Sequence, residues 1–180
     1  SSPSWFGSRA APIMATRSFP VLDPIETDAV VVGAGPVGLF QVFELGLQEV
    51  RAQVVDSLPN AGGQCVELYA DKPIYDIPAL PVATGRELAE KLLKQIEPFG
   101  AGFHLDQQVS AVVRRDDGRF DVATSTGTRF IAKAVVVAGG VGSFQPRRLK
   151  VDGLDRFRGT QLFEHAATLH EHAGQRVVIV

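Results

Sequence analysis

The chain has 180 residues, of which 45% are hydrophobic and 21% charged, and its formal net charge at pH 7 is −2. This composition is typical of a globular protein with a sizeable core, and the weak charge predicts neither a nucleic-acid nor a membrane partner. The apolar runs are too short to cross a bilayer. Cys65 is the only cysteine, so the chain alone forms no intrachain disulfide, which is consistent with a reducing, cytoplasmic location.

The N-terminal residues differ in composition from the rest of the chain. Ser1–Leu22 contains Arg9, Arg17 and several serines but no acidic residue, a composition typical of a transit peptide. Met14 supports the alternative that the residues before it lie upstream of the natural start. On either interpretation, we expect residues 1–26 to be a disordered extension.

A buried strand followed by a glycine-rich turn begins the folded part. Asp28–Val32 is rich in β-branched residues and predicts a strand that is buried on both faces. The next six residues, Gly33-Ala34-Gly35-Pro36-Val37-Gly38, have the Gly-x-Gly-x-x-Gly spacing. In this motif Gly33 would allow a tight turn, Gly35 would let backbone approach a pyrophosphate, and Gly38 would let the helix pack closely on the strand.

A helix follows the glycines. It is predicted over Val37–Gln48, and its apolar side is formed by Phe40, Phe43 and Leu47. The helix would point its N-terminal N–H groups, and the positive end of its dipole, at the pyrophosphate.

A second strand, Arg51–Val55, ends at an acidic residue. Asp56 follows Gly38 at about the spacing of the acid that binds the ribose hydroxyls of a dinucleotide. Because a carboxylate would repel a 2′-phosphate, the pattern predicts the adenosine half of FAD or NAD and not of NADP. The alternative is a glycine-rich turn of another α/β fold, with Asp56 at a solvated strand end.

A long connection, Ser57–Val82, separates this strand from the next helix. Such connections are usually functional or disordered. This one contains Gly62-Gly63-Gln64-Cys65 and then Tyr69. Paired glycines bring backbone close to a flat or charged group, Gln64 offers a donor and an acceptor, and a tyrosine stacks on rings. The connection is therefore interpreted as a ligand lid, with a packed Ω-type loop as the alternative.

The next elements are a helix and an antiparallel meander. The helix begins at a capping box, Thr84–Glu87, and ends near Gly100. Its apolar face consists of Leu88, Leu92, Ile96 and Phe99. The meander begins with Gln108–Arg114, in which Val109, Ala111 and Val113 are predicted to face inward, and continues with strands around Phe120–Val122 and Phe130–Ile131.

A further parallel strand is predicted at Ala134–Val137, a continuous apolar run that ends in Gly139 and Gly140. These glycines would place backbone at the carboxyl edge of the sheet, where ligands bind in doubly wound folds. The predicted fold class is α/β: a Rossmann-like FAD-binding domain with a parallel sheet and an inserted antiparallel β-meander.

The C-terminal residues predict a helix over 161–173 and a strand over 175–180. His165, His170 and His172 lack the i, i+4 spacing of a helical metal site, so no metal is predicted. Because an apolar strand at a terminus would be an exposed edge, we expect the domain to continue beyond Val180.

The order of these motifs resembles that of the thioredoxin-reductase-like ferredoxin–NADP reductases. The segments that carry the resemblance are TDAVVVGAGPVG at 27–38, AGGQCVELY at 61–69, KPIYDIPA at 72–79 and VVVAGGVGSFQPRRL at 135–149. In that family a two-domain flavoprotein passes electrons between reduced ferredoxin and NADP(H) through FAD. The resemblance therefore implies FAD as cofactor, NADP(H) as substrate, ferredoxin or a similar small electron carrier as partner, and a homodimer.

The resemblance also implies roles for individual residues, none of them an acid–base catalyst. Val109 would bind the adenine, Asp56 the adenosine ribose, and Gln64 and Tyr69 the flavin end, while Phe144 would pack at the cofactor. Tyr75 and Asp76 are weaker candidates. The pyrophosphate would be held by the motif glycines, and further cofactor contacts are expected within the glycine-rich turns: Gly33, Gly35, Pro36, Gly38, Gly63 and Gly139.

The same resemblance divides the chain. It implies an FAD-binding domain over 27–160 that lacks its C-terminal segment, then a linker and the first strand of an NADPH-binding domain over 161–180. We expect the 180 residues alone to be inactive. Two alternatives remain open: a thioredoxin-reductase-type disulfide reductase, which requires a Cys-x-x-Cys pair beyond Val180, and a non-catalytic FAD-binding module.

Overall fold

The computed structural model describes residues 23–142, 149–163 and 172–178. Its helices are α1 (Pro36–Leu47), α2 (Gln64–Glu67) and α3 (Gly85–Ile96), and short 3-10 turns occur at Glu97–Phe99 and Leu154–Phe157. Its strands are β1 (Ile25–Val32), β2 (Ala52–Val55), β3 (Pro73–Ile74), β4 (Ala83–Thr84), β5 (Gly102–His104), β6 (Val109–Arg114), β7 (Phe120–Thr124) and β8 (Arg129–Val137).

Six of these strands form one mixed sheet in the order β5-β2-β1-β8-β7-β6. The strands β5, β2, β1 and β8 are parallel to their neighbours, whereas β6, β7 and β8 pair antiparallel. The predicted α/β class with a parallel sheet and a meander is confirmed. The strands predicted separately at 130–131 and 134–137 are one nine-residue strand, β8, which belongs to both parts of the sheet.

The meander folds over one face of the parallel strands. Phe130 on β8 and His104 on β5 are three strand positions apart, a separation of about 14 Å in a flat sheet. Their ring centroids are nevertheless 4.8 Å apart, so the sheet is strongly curved and not flat. The fold buries an apolar cluster between the two layers, formed by Val30, Val55, Val122, Phe130 and Ala132.

The opposite face of the parallel strands is covered by α1 and α3. Neighbouring residues of a strand point to opposite faces, and Val31 lies in this second cluster with Leu39, Val42, Val54 and Ile96. The predicted apolar side of α1 is wrong in part, because Phe40 and Leu47 are exposed. Gly38 packs directly against the backbone of Gly33, and this contact turns the Leu39–Val42 side inward.

The helix α3 begins as predicted. The Oγ1 atom of Thr84 accepts a hydrogen bond from the Glu87 N–H at 3.1 Å, and the Glu87 carboxylate accepts one from the Thr84 N–H at 2.8 Å. The latter bond lowers the pKa of Glu87. The capping box is thus complete, and Leu88 and Ile96 bury the predicted face.

Two burial predictions in the meander and β8 are wrong. Ala111 and Val113 of β6 are exposed, because β6 is the edge of the sheet and its pairing with β7 shifts register between Val109 and Ala111. Ala134 is also exposed, and Val137 is 79% exposed. An apolar run thus marked a strand correctly but did not show how much of it other elements cover.

Several terminal predictions fall outside the described ranges. Residues 1–22 and 164–171, with His165 and His170, are not described, whereas Ile25 and Glu26 of the predicted extension belong to β1. Residues 176–178 have no regular structure where a strand was predicted. Within the described ranges, no group of His, Cys, Asp and Glu could hold a metal ion, and no helix is long and apolar enough to cross a membrane.

A carboxylate ties three strands together outside the apolar clusters. Asp28 on β1 lies 2.7 Å from the Lys133 Nζ atom on β8 and 3.1 Å from the Nε atom of Arg51, next to β2. The hydrogen bond from Lys133, followed by those from Arg51, holds the pKa of Asp28 well below its ordinary value.

His104 makes the stability of the fold depend on pH. Its Nε2 atom lies 2.8 Å from the Gln53 Oε1 atom, and burial lowers its pKa. Because its pKa is lower in the folded protein, His104 takes up a proton more readily in the unfolded chain than in the folded one. The contribution of neutral His104 to the free energy of unfolding is therefore fully present above about pH 6.5 and is lost as the pH falls below that value. We expect urea denaturation to show lower stability at pH 5.5 than at pH 7.5. In His104→Gln, which can still donate to Gln53, the loss should be smaller; an equal loss would contradict the assignment.

Candidate functional site

A cleft of about 400 Å³ lies where the parallel strands end, a volume within the range of small-molecule sites. The turns after β1, β2, β5 and β8 line it, and so do Gly63 and the first residues of α2. Its lining includes Val32, Gly33, Gly35, Pro36, Asp56, Ser57, Leu58, Gly63, Gln64, Cys65, Tyr69, Gln107, Gln108, Val109, Ala138, Gly139, Gly140 and Val141.

Two of the three motif glycines, Gly33 in the turn after β1 and Gly38 in the first turn of α1, have no room for a side chain. Gly33 has φ +110, and a Cβ there would collide with the Ala138 carbonyl oxygen. A Cβ on Gly38 would collide with the carbonyl oxygen of Gly33. Gly35 differs, because its Cβ would meet only Gly63 Cα, at 3.8 Å. The first and third glycines therefore serve the fold, and the middle one leaves bare backbone at the cleft.

The N-terminus of α1 presents unused donors to the cleft. Its N-cap residue, Gly35, has no side chain to accept a hydrogen bond, and its first turn contains no acidic residue. The Val37 and Gly38 N–H groups have no hydrogen-bond acceptor among the described residues. Free N–H groups and the positive end of the helix dipole bind an anion such as a phosphate group. The residues present thus fit a pyrophosphate.

A second glycine pair supports this turn from the other side. The Gly62 N–H donates to the Ala34 carbonyl oxygen at 2.8 Å, and a Cβ on Gly63 would lie 2.8 Å from Gly35 Cα. The two loops therefore pack backbone against backbone. Gln64 comes next and reaches Gly140, where an added Cβ would lie 3.4 Å from the Gln64 Nε2 atom. Its amide thus stands between the two glycine-rich turns.

The cysteine and tyrosine of the cleft are both neutral. Burial raises the pKa of Cys65, and Tyr69 opposes this increase only in part. The pKa of Tyr69 is also raised, mainly by burial and then by Cys65. Because a thiolate is the reactive form of cysteine, a raised pKa makes Cys65 a poor nucleophile. The cleft supplies binding groups and contains no activated nucleophile among its described residues.

The side chain of Asp56 accepts two hydrogen bonds from the backbone, which its position in the sequence did not predict. Its Oδ2 atom accepts a hydrogen bond from the Ala34 N–H at 2.6 Å, and its Oδ1 atom accepts one from the Leu58 N–H at 2.8 Å. The residue is half-buried at the end of β2. A carboxylate offers about four acceptor sites, so each oxygen retains capacity for a hydroxyl group.

The turn after β5 lies beside Asp56. The Gln107 N–H donates to the Asp56 carbonyl oxygen at 2.9 Å. The Thr124 Oγ1 atom donates to the Gln107 Oε1 atom at 3.1 Å, which leaves the Gln107 amide nitrogen available as a donor. Gln108 and Val109 continue the same wall of the cleft.

The structure brings most of the predicted site residues together. Nine of them line the cleft: Gly33, Gly35, Pro36, Asp56, Gly63, Gln64, Tyr69, Val109 and Gly139. Gly38 lies beneath the cleft, between helix and strand, and Phe144 lies outside the described residues. Tyr75 is 70% exposed and is not part of the lining, and neither is Asp76. The contacts of these residues with a cofactor stay predictions.

Sequence reasoning missed Ser57, Gln107 and Gln108. Ser57 follows the predicted acid directly, so the ending of β2 could have indicated it. Gln107 and Gln108 follow β5, a three-residue strand that the sequence patterns did not predict. Because that strand was missed, its carboxyl end was missed too.

A larger and shallower depression, of about 700 Å³, lies on the meander. Four of its charged side chains form ion pairs: Arg129 contacts Asp121, and Arg115 lies 3.4 Å from Asp117. Hydrogen bonds from Arg119 lower the pKa of Asp117 to about 2. Since these charges neutralise one another, the depression offers less to a ligand than the cleft does.

Comparisons with known sequences identify the family of the chain. The sequence profile of the pyridine nucleotide-disulphide oxidoreductases matches residues 27–180. A protein named ferredoxin–NADP reductase from Methylibium petroleiphilum is 68% identical over 157 residues, which are 87% of this chain and 43% of the relative. One from Polaromonas sp. strain JS666 is 64% identical, with the same coverage. The chain spans less than half the length of these curated relatives.

Solved structures share the fold. Thioredoxin reductase from Lactococcus lactis has a TM-score of 0.57 at 22% identity, with 73% of this chain and 40% of that chain covered. Cyclohexanone monooxygenase from Rhodococcus sp. Phi1, bound to NADP+, has a TM-score of 0.58 at 23% identity, with 71% and 28% covered. At these identities the similarity describes the fold alone.

Proposed function

The chain belongs to the pyridine nucleotide-disulphide oxidoreductase family, and from that membership we propose that its cleft binds FAD. The observation that carries the proposal is the uncapped N-terminus of α1, which faces a cleft with a floor of bare glycine backbone. A pyrophosphate supplies the acceptors that the Val37 and Gly38 N–H groups lack. Glycine at position 35 lets that group approach within hydrogen-bonding distance.

The remaining cleft residues are assigned along the cofactor. Asp56 and its neighbour Ser57 hold the adenosine ribose, and Val109, with the Gln107 amide, borders the adenine. Gln64 and Tyr69 lie on the other side of the glycine turn and border the flavin ring. Cys65, whose pKa burial raises, stays a protonated thiol in the wall of the cleft. The chain's own residues thus bind and orient the cofactor.

For the whole protein we propose a ferredoxin–NADP reductase. FAD, when bound, supplies the hydride and single-electron chemistry between NADP(H) and reduced ferredoxin. Relatives of that name are 68% and 64% identical to this chain, and this identity favours the assignment. The proposal includes an FAD domain over 27–160, the beginning of an NADPH domain over 161–180, a cytoplasmic location and a homodimer. The 180 residues are proposed to bind FAD without completing the reaction.

The disulfide-reductase alternative has less support. It requires a Cys-x-x-Cys pair beyond Val180, and the relatives that are 68% and 64% identical to this chain are named ferredoxin–NADP reductases.

The proposal is tested by incubating the purified chain with FAD, desalting it and recording its absorbance spectrum. We expect flavin bands to stay with the protein. Calorimetric titration with ADP measures the adenosine-diphosphate half separately. A folded chain that binds neither FAD nor ADP would overturn the proposal. If ADP binds but flavin is not retained, the same test on the longer chain decides the cofactor: flavin retained there would assign the loss to the missing C-terminal segment, and flavin lost there would assign the cleft to a different nucleotide.

A further inference from the structure

The carboxylate of Asp56 joins two loops of the cleft. One oxygen accepts the Ala34 N–H of the glycine turn at 2.6 Å, and the other accepts the Leu58 N–H of the turn after β2 at 2.8 Å. Both are charge-assisted bonds of the stronger kind. The side chain thus has a role within the protein, independent of any nucleotide.

The bond to Ala34 fixes the phosphate-binding turn. Ala34 is fully buried, and its carbonyl oxygen accepts from the Gly62 N–H at 2.8 Å. Gly33, the residue before it, donates to the Val55 carbonyl oxygen at 2.8 Å. Three hydrogen bonds therefore hold this turn, and the one that the Asp56 carboxylate accepts is the only one of the three that involves a side chain. It holds the peptide that leads directly into Gly35 and the uncapped N-terminus of α1.

We propose that Asp56 is a positioning residue that holds the phosphate-binding turn in its binding conformation before any nucleotide arrives. This inference rests on the proposed function in one respect, that the turn binds a diphosphate. A turn that is ordered in advance costs less conformational entropy on binding. Asp56 therefore contributes to affinity at the diphosphate as well as at the ribose.

The Asp56→Asn variant distinguishes positioning of the turn from binding of the ribose. Its amide has the size of the carboxylate but a single acceptor oxygen, so it cannot accept from both Ala34 and Leu58. Asp28→Asn is the matched control, since it makes the same chemical change in a residue that binds Lys133 and Arg51 away from the cleft.

The first measurement is amide hydrogen exchange, read residue by residue by NMR on the ligand-free chain. In the wild type, the Ala34 amide should exchange at least ~10-fold more slowly than that of Val37, which has no acceptor. In Asp56→Asn the protection of Ala34, of Leu58 or of both should fall about 10-fold, because one oxygen cannot serve both loops. The core amides of Val30 and Val54 should keep their protection, and Asp28→Asn should leave Ala34 and Leu58 unchanged. Equal exchange at Ala34 and Val37 in the wild type would overturn the proposal without any variant.

The second measurement compares the affinities for ADP and 2′-deoxy-ADP. A positioning role predicts that Asp56→Asn weakens both ligands, each by roughly 10-fold. If the substitution instead only abolishes a preference of the wild type for ADP, and both Ala34 and Leu58 keep their protection, Asp56 is a ribose ligand and nothing more. A wild type that binds neither ligand contradicts the proposed function, and the exchange data still decide whether Asp56 holds the turn.

Discussion

Replacing Gly38 by alanine is expected to destabilise the domain by about 3 kcal/mol or more, the upper end of the cost of overpacking. The added Cβ would collide with the Gly33 carbonyl oxygen and would lie 3.4 Å from the Val31 Cγ1 atom. The first of these is a backbone atom in a turn held by hydrogen bonds, so it cannot move aside as a flexible side chain would. Urea denaturation of the wild type and the variant measures the difference.

The control for that substitution is Gly35→Ala, three residues earlier in the same motif. There the new methyl group meets only Gly63 Cα, at 3.8 Å, which is ordinary van der Waals contact. We expect its stability to change by no more than about 1 kcal/mol, the scale of an N-cap substitution. Equal stabilities of the two alanine variants would contradict the packing role assigned to Gly38.

The same control variant carries the second large prediction, which concerns binding. In Gly35→Ala the methyl group stands in the space where a pyrophosphate would approach the turn, so the phosphate oxygens can no longer reach the α1 N–H groups. We expect affinity for ADP to fall at least ~10-fold, or about 1.4 kcal/mol. FAD should be lost on desalting under conditions in which the wild type retains it.

A second variant tests whether that loss is specific to the cleft. Ala111→Val adds carbon atoms on the exposed edge strand β6, far along the chain from the glycine turn and outside the cleft lining. It should bind ADP as the wild type does. If Gly35→Ala also keeps wild-type affinity while remaining folded, the diphosphate is not bound at this turn.

These predictions test separate roles for the three glycines of one motif. From the motif spacing, Gly33 was predicted to allow a tight turn, Gly35 to admit a pyrophosphate and Gly38 to let the helix pack on the strand, whereas the family resemblance implied that all three hold the pyrophosphate. In the structure, Gly33 and Gly38 are required because a side chain would strike backbone, and Gly35 is the one that leaves the cleft open. Which atom a missing side chain would have met is a property of the folded chain.

Helix α1 also shows a feature that the sequence pattern did not predict, namely which of its faces is buried. Its apolar residues are distributed nearly all around it, so periodicity did not select one face, and Phe40 was placed on the buried side although it is 47% exposed. Helix α3 has a stronger polar-to-apolar contrast, and its predicted face and its capping box are confirmed. A pattern predicts orientation only where the two sides of a helix differ clearly.

By itself, the sequence determined the α/β class, the order of strand, glycine turn, helix and strand, and the start of α3. Each of these depends on local chemistry: β-branched runs, glycines at set spacing, and side chains that cap a helix end. The nine predicted residues that line the cleft came from these patterns together with the family resemblance, which alone implied a site role for Val109. Only the tertiary structure decided that the sheet curves so that the meander covers one of its faces, that β6 is an exposed edge, and that Asp56 binds Ala34 and Leu58. These features depend on contacts between residues far apart in the chain, and no local pattern encodes which partner a buried face or a carboxylate will find.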